Sequence, residues 1–489
     1  MSMHPREKNQ RTALEVAWKA ADHLRGSIDA TRYKNTLLPL LYLRHLSAQA
    51  VEADGRQLPL AAQWDTLTQR ISAAGSDAAA VLNEAFVELM RMHRDLTDAF
   101  APAEALLEGL SPQQVADLFA LLHSKWPAAD EEPDAAGAMF TFLNARFAAD
   151  EGRRGGDFHT PHSVARLLVD ALQPWKGCVY DPCCGLGGLL VEAAMSATAE
   201  GKSPADLALF GQELNADTAR LARMNLGVHG LGTAGIHRTD TLEHDLLATI
   251  EADVVLARPP FSLKWHPQAM DPRWRYGVPP RSNADFAWLQ HALHKLSAQG
   301  SAGVILGAGS MFRGAAEAAI RKAMVEDDVV ACIVALPGQL FTATAIPSCA
   351  WFLTKDKSSR GGQGLANRRG ETLFIDAREL GFMAGRAHRV LSDGDLDSIT
   401  GAYRAWRGTH PAASEYRDIP GFCCAVSTDD IRKQGYNLAP GRYVGSTADE
   451  SGSAAQSVHD TVGELTGELL DLLTQAELAG DMLRRHLDS

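Results

Sequence analysis

The chain has no run of 18 or more apolar residues, so nothing in it predicts a membrane span. Its most apolar stretches, residues 329–336 and 345–353, are short or broken by Pro347 and Ser348 and predict buried strands. It also lacks any Cys-x-x-Cys pair. The seven cysteines (Cys178, Cys183, Cys184, Cys332, Cys349, Cys423 and Cys424) are odd in number. They argue against a zinc site or a disulfide framework and predict reduced thiols in the cytoplasm. No metal site is expected. An excess of positive charge is missing too: the formal net charge is −13, which excludes a generic polyanion binder. Contact with DNA then needs a local basic surface, or a partner that supplies most of the phosphate contacts. The polar start, Met1-Ser-Met-His-Pro-Arg-Glu-Lys, has no apolar core behind it and predicts no signal peptide.

What is present suffices for two or three domains: 489 residues, 46% hydrophobic and 22% charged, an ordinary globular balance. Residues 1–150 read as a helical domain. Leu14, Trp18, Ala21 and Leu24 recur at helical spacing, and residues 33–46 are dense in leucine. Ser111-Pro-Gln-Gln114 is a helix start, with Ser as cap, Pro first in the helix and Gln three residues after the cap. From 151 to 444 the texture changes. Short β-rich runs at 179–180, 207–211, 254–256, 303–306 and 329–334 alternate with helical stretches. That is the pattern of an α/β domain with a mostly parallel sheet. Residues 357–370, rich in Gly, Ser and Arg, predict an exposed loop, and 445–456 have linker composition.

The last segment, 457–489, carries Val458, Val462, Leu465, Leu469, Leu472, Ala476, Ala479 and Leu483 in steps of four and three, an a/d seam. Gly463, Gly467 and Gly480 weaken it as a lone helix, each by about 1 kcal/mol relative to Ala. It is therefore expected to pack, either on the chain's own helical domain or on a helix of a partner.

Two motifs carry chemistry. Gly177-Cys-Val-Tyr-Asp181-Pro-Cys-Cys-Gly185-Leu-Gly187-Gly188 sets a Gly-rich turn between a strand and a helix, where backbone can approach a ligand closely. Glu213 and Asp240 follow the next two strands, placed for ribose hydroxyls and an adenine amino group. The second motif is Asp253-Val-Val-Leu-Ala-Arg-Pro-Pro-Phe261, a buried strand ending in a rigid Pro-Pro-aromatic corner. A dinucleotide dehydrogenase shares the Gly-rich turn. It gives no reason for Pro259-Pro260-Phe261, and Asp-Pro before the glycines is not its fingerprint.

With these blocks in hand, the chain resembles the modification (M) subunits of type I restriction–modification systems, an adenine-N6 DNA methyltransferase family. Further blocks of the resemblance are Trp18-Lys-Ala-Ala-Asp-His-Leu-Arg25, Gly155-Gly-Asp-Phe158-His-Thr160-Pro161, Tyr276-Gly-Val-Pro-Pro-Arg-Ser-Asn283-Ala-Asp285-Phe-Ala-Trp288 and Tyr436-Asn-Leu-Ala-Pro-Gly-Arg442-Tyr443. The resemblance implies a Rossmann-like methyltransferase domain that uses S-adenosyl-L-methionine. Phe158, Thr160 and Pro161 would lie at the donor's methionine end. Asp181, Gly185 and Gly187 would form its cradle, with Glu213 on the ribose and Asp240 on the adenine. The corner Arg258, Pro259, Pro260 and Phe261 would receive a target base turned out of the duplex. The resemblance also implies double-stranded DNA, a specificity (S) subunit docked on the C-terminal helix, a second M copy and a restriction (R) subunit as partners. Lys264-Trp265 and Arg273-Trp-Arg275-Tyr mix cations with aromatics, which suits phosphate contact and base stacking as well as ordinary solvated surface.

The chain departs from the family pattern at three positions. His159 stands where a Tyr is usual. Leu186 stands at a small or polar position and predicts a crowded donor loop. Arg258 stands where the family has Asn. In that family the Asn side-chain oxygen and the next backbone carbonyl accept the two hydrogens of the adenine amino group. Arginine has five donors and no acceptor, and it adds a positive charge.

Overall fold

A computed structural model describes residues 14–445, except 16, 25–27, 29, 50–56, 98, 125, 127–134, 152–159, 342–345, 360–364, 386–387 and 410–414. The chain through Val444 forms one compact unit. Residues 446–489, which hold most of the expected linker and the whole a/d seam, lie outside the described residues.

The α/β part is built on one nine-stranded sheet. In chain order its strands are β1 (Gly177–Asp181), β2 (Leu207–Glu213), β3 (Ile236–Arg238), β4 (Ala252–Ala257), β5 (Leu296–Gly307), β6 (Val330–Ala335), β7 (Ser348–Thr354) and β8 (Glu371–Asp376), closed by β11 (Cys423–Ser427). A separate hairpin joins β9 (Phe382–Met383) to β10 (Arg389–Val390). The sheet order is β11-β8-β6-β7-β5-β4-β1-β2-β3. Strands β7 and β11 run antiparallel to their neighbours and the other pairings are parallel. All five β-rich runs of the sequence fall on this sheet.

Its strands are apolar because both faces are covered. Along β4, Val254 and Leu256 face one core and Val255 and Ala257 the other, the two-residue period of a pleated strand. The first core is packed by helices His162–Leu172, Gly188–Ala199, Ala216–Val228 and Asp393–Arg407, the second by Asp285–Lys295 and Ala315–Glu326. The loop expected at 357–370 is not all exposed. Lys357 is buried, its ammonium paired with Asp328 at 2.6 Å.

The N-terminal helices form a layer on this scaffold. Helix Pro112–Ser124 starts as its sequence dictates: the Gln114 N–H donates to Ser111 Oγ at 3.3 Å, and the Ser111 N–H donates to Gln114 Oε1 at 2.9 Å. The leucines of helix Ala30–Gln49 share a hydrophobic cluster with Leu221, Met224 and Val228 of the α/β part. The two helices approach closely at Gly227, where a Cβ would lie 2.6 Å from the Tyr42 hydroxyl oxygen.

Parallel pairing brings the carboxyl ends of β4, β1, β2 and β3 side by side, in that order. A ligand crevice in an open α/β sheet is expected outside these ends.

Candidate active site

Strand β1 delivers Asp181 to that edge, and the turn after it is held by polar contacts. Asp181 Oδ1 accepts the Cys183 N–H at 3.0 Å, and the Cys184 N–H donates to the Gln212 carbonyl at 2.9 Å. Gly185 has a φ of 53°, and its N–H donates to Glu213 Oε2 at 3.1 Å. Glu213 Oε1 accepts the Asn215 N–H at 2.8 Å, so the carboxylate at the end of β2 is oriented from both sides. After β3, Asp240 Oδ1 accepts the Leu242 and Glu243 N–H groups at 3.1 and 3.3 Å.

Asp181, Glu213 and Asp240 all line one cavity of about 240 Å³. Burial raises the pKa of Asp181 to about 7; hydrogen bonds from Cys183 pull it back, Glu213 pushes it further up and Arg258 draws it down. Burial also raises Glu213, against the backbone N–H groups of Asn215 and Gly185. The opposite wall is apolar: Leu242, Trp265 and Trp288 line the cavity and pack in one cluster with Trp274. Sequence reading did not assign Trp265 or Trp288 to this wall, although Trp265 follows the Pro-Pro-Phe corner and Trp288 ends one of the resemblance blocks.

The corner after β4 completes the cavity. Arg258 is 6% exposed and lines it together with Pro260 and Thr160. The Arg258 guanidinium sits 5.8 Å from the centre of the Phe341 ring, and Phe261 meets that ring edge to face at 5.4 Å. Pro259 is buried.

Several expected residues take other places. Leu186 does not crowd the donor loop. Its side chain turns away from the cavity into the cluster formed with the N-terminal helices, and its carbonyl accepts Asn225 Nδ2 at 2.8 Å. Gly187, with a φ of 76°, caps helix Gly188–Ala199, where a Cβ would lie 2.7 Å from Leu226 Cδ1. Its need for glycine is thus the left-handed backbone, with close packing on Leu226 beside it, and it is not part of the cavity lining. Pro161 caps helix His162–Leu172 beside Thr160. Phe158 and His159 lie outside the described residues.

The expected basic patch divides. Lys264 is exposed at the cavity rim. Arg273, expected at a phosphate, is 8% exposed, paired with Asp271 at 2.6 Å and bonded to the Thr241 and Leu242 carbonyls and to His291 Nδ1. It fastens the wall that carries Asp240 and Leu242. Its neighbour Trp274, packed against Trp265, is equally unavailable for stacking on DNA. Arg275 is exposed but pairs with Asp327 at 3.0 Å, between helix Ala315–Glu326 and β6, at the opposite end of the strands from Arg258.

A buried polar network supports the cavity floor. Gln212 donates to the Tyr180 hydroxyl at 2.6 Å and to Asp245 at 3.1 Å, and Asp245 pairs with buried Lys295 at 2.7 Å. Burial, with Arg273 adding to it, pushes His291 down to about 3, so its imidazole is neutral between Arg273 and Tyr180.

Comparison with known proteins agrees with this architecture. The N-6 DNA methylase family model matches residues 131–451, and the HsdM N-terminal domain model matches residues 15–121. The methylase subunit of the type I restriction enzyme HindI from Haemophilus influenzae is 35% identical over 416 residues, covering 80% of this chain and 91% of that one. The MjaIX methylase subunit from Methanocaldococcus jannaschii is 27% identical over 96% of this chain and 90% of its own length. Among solved structures, the methyltransferase subunit of a type I restriction–modification system from Streptococcus thermophilus superposes with a TM-score of 0.75 at 25% identity, over 89% of this chain and all of that one. A chain from a study of type I system assembly and conformational transition shares the fold, with a TM-score of 0.65 at 20% identity over 97% of this chain and 99% of that one. On the family model and the Haemophilus relative together, this chain belongs to the N-6 DNA methylase family, among the methylase subunits of type I restriction enzymes.

Proposed function

We propose that the chain is the modification subunit of a type I restriction–modification assembly, moving a methyl group from S-adenosyl-L-methionine to the N6 amino group of adenine in double-stranded DNA. One observation carries this reading. The three carboxyls at the ends of β1, β2 and β3 line the same cavity as Arg258 and Pro260 of the corner after β4. The donor fits that cavity chemically. Glu213 and Asp240 are hydrogen-bond acceptors held in place by backbone N–H groups, as a nucleoside rich in donors requires, and Leu242, Trp265 and Trp288 supply an apolar wall for its base.

In this reading Glu213 takes the ribose hydroxyls. Asp240 turns Oδ1 to its own loop and offers Oδ2 to the adenine amino group. Asp181 and Thr160 receive the amino-acid end, with Phe158 and Pro161 beside it. When bound, the donor supplies an electrophilic methyl on a sulfonium. The chain's part is to orient an extruded base at the corner and to accept its amino hydrogens, so that positioning lowers the barrier. The Pro259 carbonyl is the acceptor this chain retains. Phe261 stacks on the base after leaving its edge contact with Phe341. Lys264, exposed at the rim, meets a DNA phosphate. The specificity subunit reads the sequence and docks on residues 457–489, a second M copy supplies the other half of the modification complex, and the restriction subunit joins it. The cytoplasm is the compartment in which such an assembly meets host DNA.

Arg258 favours a second reading, a methyltransferase-fold scaffold with its own turnover silenced. Losing one preorganised polar contact costs roughly 10²–10³ in rate. A unit charge about 4 Å from the positive charge developing on the attacking nitrogen costs about 4 kcal/mol at an effective dielectric of about 20. Single-molecule sequencing of host DNA, with and without this gene beside its partner subunits, separates the two. Motif-specific N6-methyladenine that vanishes with the gene supports the enzyme, and an unchanged methylome refutes it.

A further inference from the structure

Strands β6 and β8 run parallel to β4, so the chain after each of them emerges at the same edge of the sheet as the Arg258–Phe261 corner. The segment after β6 carries Phe341 to that corner, where its ring meets the Phe261 ring at 5.4 Å. The segment after β8 becomes the β9–β10 hairpin. The two segments are tied together, because the Arg389 N–H donates to the Gln339 carbonyl at 2.9 Å. Gln339 and Phe341 are two positions apart, at most about 7 Å of extended chain.

The root of the hairpin is braced. The Arg389 guanidinium donates to the Leu380 carbonyl at 3.0 Å, and the Ala384 N–H donates to the His388 carbonyl at 2.9 Å. Gly381 has a φ of 82°, and a Cβ there would lie 2.8 Å from the Val390 carbonyl oxygen. Leu380 and Leu391, on either side, pack into the core. Phe382 and Met383 stand out into solvent, 55% and 42% exposed. Single exposed apolar side chains are ordinary. Here a Phe–Met pair is held on a fixed ribbon beside the corner that receives a base.

We infer that the β9–β10 hairpin is the wedge that opens the duplex: Phe382, with Met383 beside it, enters the base stack next to the target adenine and fills the space that the extruded base leaves. The inference rests on the base-extrusion reading of the corner and deepens it. Turning a base out costs its stacking and pairing, and proteins that hold DNA open insert Phe, Leu, Ile or Met between base steps. The major groove admits a two-stranded ribbon. An apolar insertion draws on stacking rather than on phosphate contact, which suits a chain of net charge −13.

The test uses the assembled complex and a duplex with 2-aminopurine, which brightens when unstacked, at the target adenine of a site located by footprinting. The wild-type chain is compared with Phe382→Ala/Met383→Ala and with Phe382→Trp, each checked for a cooperative melt. The wild type is expected to raise the fluorescence and Phe382→Trp to keep the rise. The double variant is expected to lose most of it and to bind the matched duplex on the order of 10-fold more weakly. On a duplex mismatched at the target, where less unpairing remains to be done, that deficit is expected to shrink. A full fluorescence rise in the double variant overturns the inference. An equal deficit on matched and mismatched duplexes also overturns it, since it marks a plain groove contact. No rise with the wild-type chain overturns the extrusion reading of the corner itself, a different failure with a different signature.

Discussion

Arg273 and Arg258 lie close to the same cavity and are almost equally buried, at 8% and 6% exposed. Arg273 stands behind the wall, its guanidinium bonded to Asp271, two backbone carbonyls and His291. Arg258 stands on the inner side, lining the space beside Asp181 and packing over Phe341. Burial does not separate a structural cation from a functional one. Position does: Arg273 is held by Asp271 and two backbone carbonyls behind the wall, and Arg258 lines the cavity itself.

Breaking the structural partner has the larger effect. Arg273→Ala leaves half-buried Asp271 and the Thr241 and Leu242 carbonyls without their donor, and a loss of about 2 kcal/mol in unfolding free energy is expected by urea titration. A loss under about 0.5 kcal/mol, the range of ordinary surface changes, refutes its fastening role. Arg258→Asn is expected to cost less than Arg273→Ala in the same titration, so the two substitutions part in size.

Next in size is the nucleoside end. Glu213→Gln keeps the shape and removes the charge-assisted contacts, so adenosyl-ligand affinity is expected to fall about 10- to 100-fold by calorimetry. A fall of that size in Arg273→Ala as well shows that the wall behind Asp240 also sets the site.

The pH dependence is smaller and has a definite sign. The Asp181 carboxyl, held at about 7 by burial, is protonated in the folded chain at pH values where an unfolded Asp is ionised. The folded state thus binds the extra proton between about pH 4 and pH 7. Its contribution to stability is present at low pH and lost as pH rises through about 7. Affinity for a ligand amine runs the other way, falling by at most about tenfold per pH unit below 7. Asp181→Asn is expected to flatten both profiles, and a profile around pH 7 that persists in the variant points to another group.

The smallest effect is at the rim. Lys264→Ala is expected to reduce the salt slope of DNA binding by the assembled complex by about 0.9, one phosphate. Arg275→Ala, at the opposite end of the strands, is expected to leave it unchanged. A reversal places DNA at the other end of the strands.

Local chemistry made much of this molecule readable from its residues alone. Alternation between apolar runs and helical stretches gave the sheet, and the Ser111–Gln114 cap formed as its residue types require. Carboxylates after three strands converge because parallel pairing aligns strand ends. What escaped reading depends on packing between distant segments. Leu186 turns outward because the N-terminal helices offer an apolar surface behind the donor loop. The burial of Arg273 depends on Thr241, Leu242 and His291, and that of Lys357 on Asp328. Composition made both cations look like surface. Trp265 and Trp288 meet only when the chain after β4 folds back on helix Asp285–Lys295.

The account turns on Arg258 facing the place where a neutral oxygen acceptor serves the reaction. The direct measurement is methyl incorporation into cognate DNA by the assembled complex, with wild-type chain and Arg258→Asn side by side. The account predicts a gain of about 10²–10³-fold in the variant. Equal and robust transfer by both proteins would contradict it.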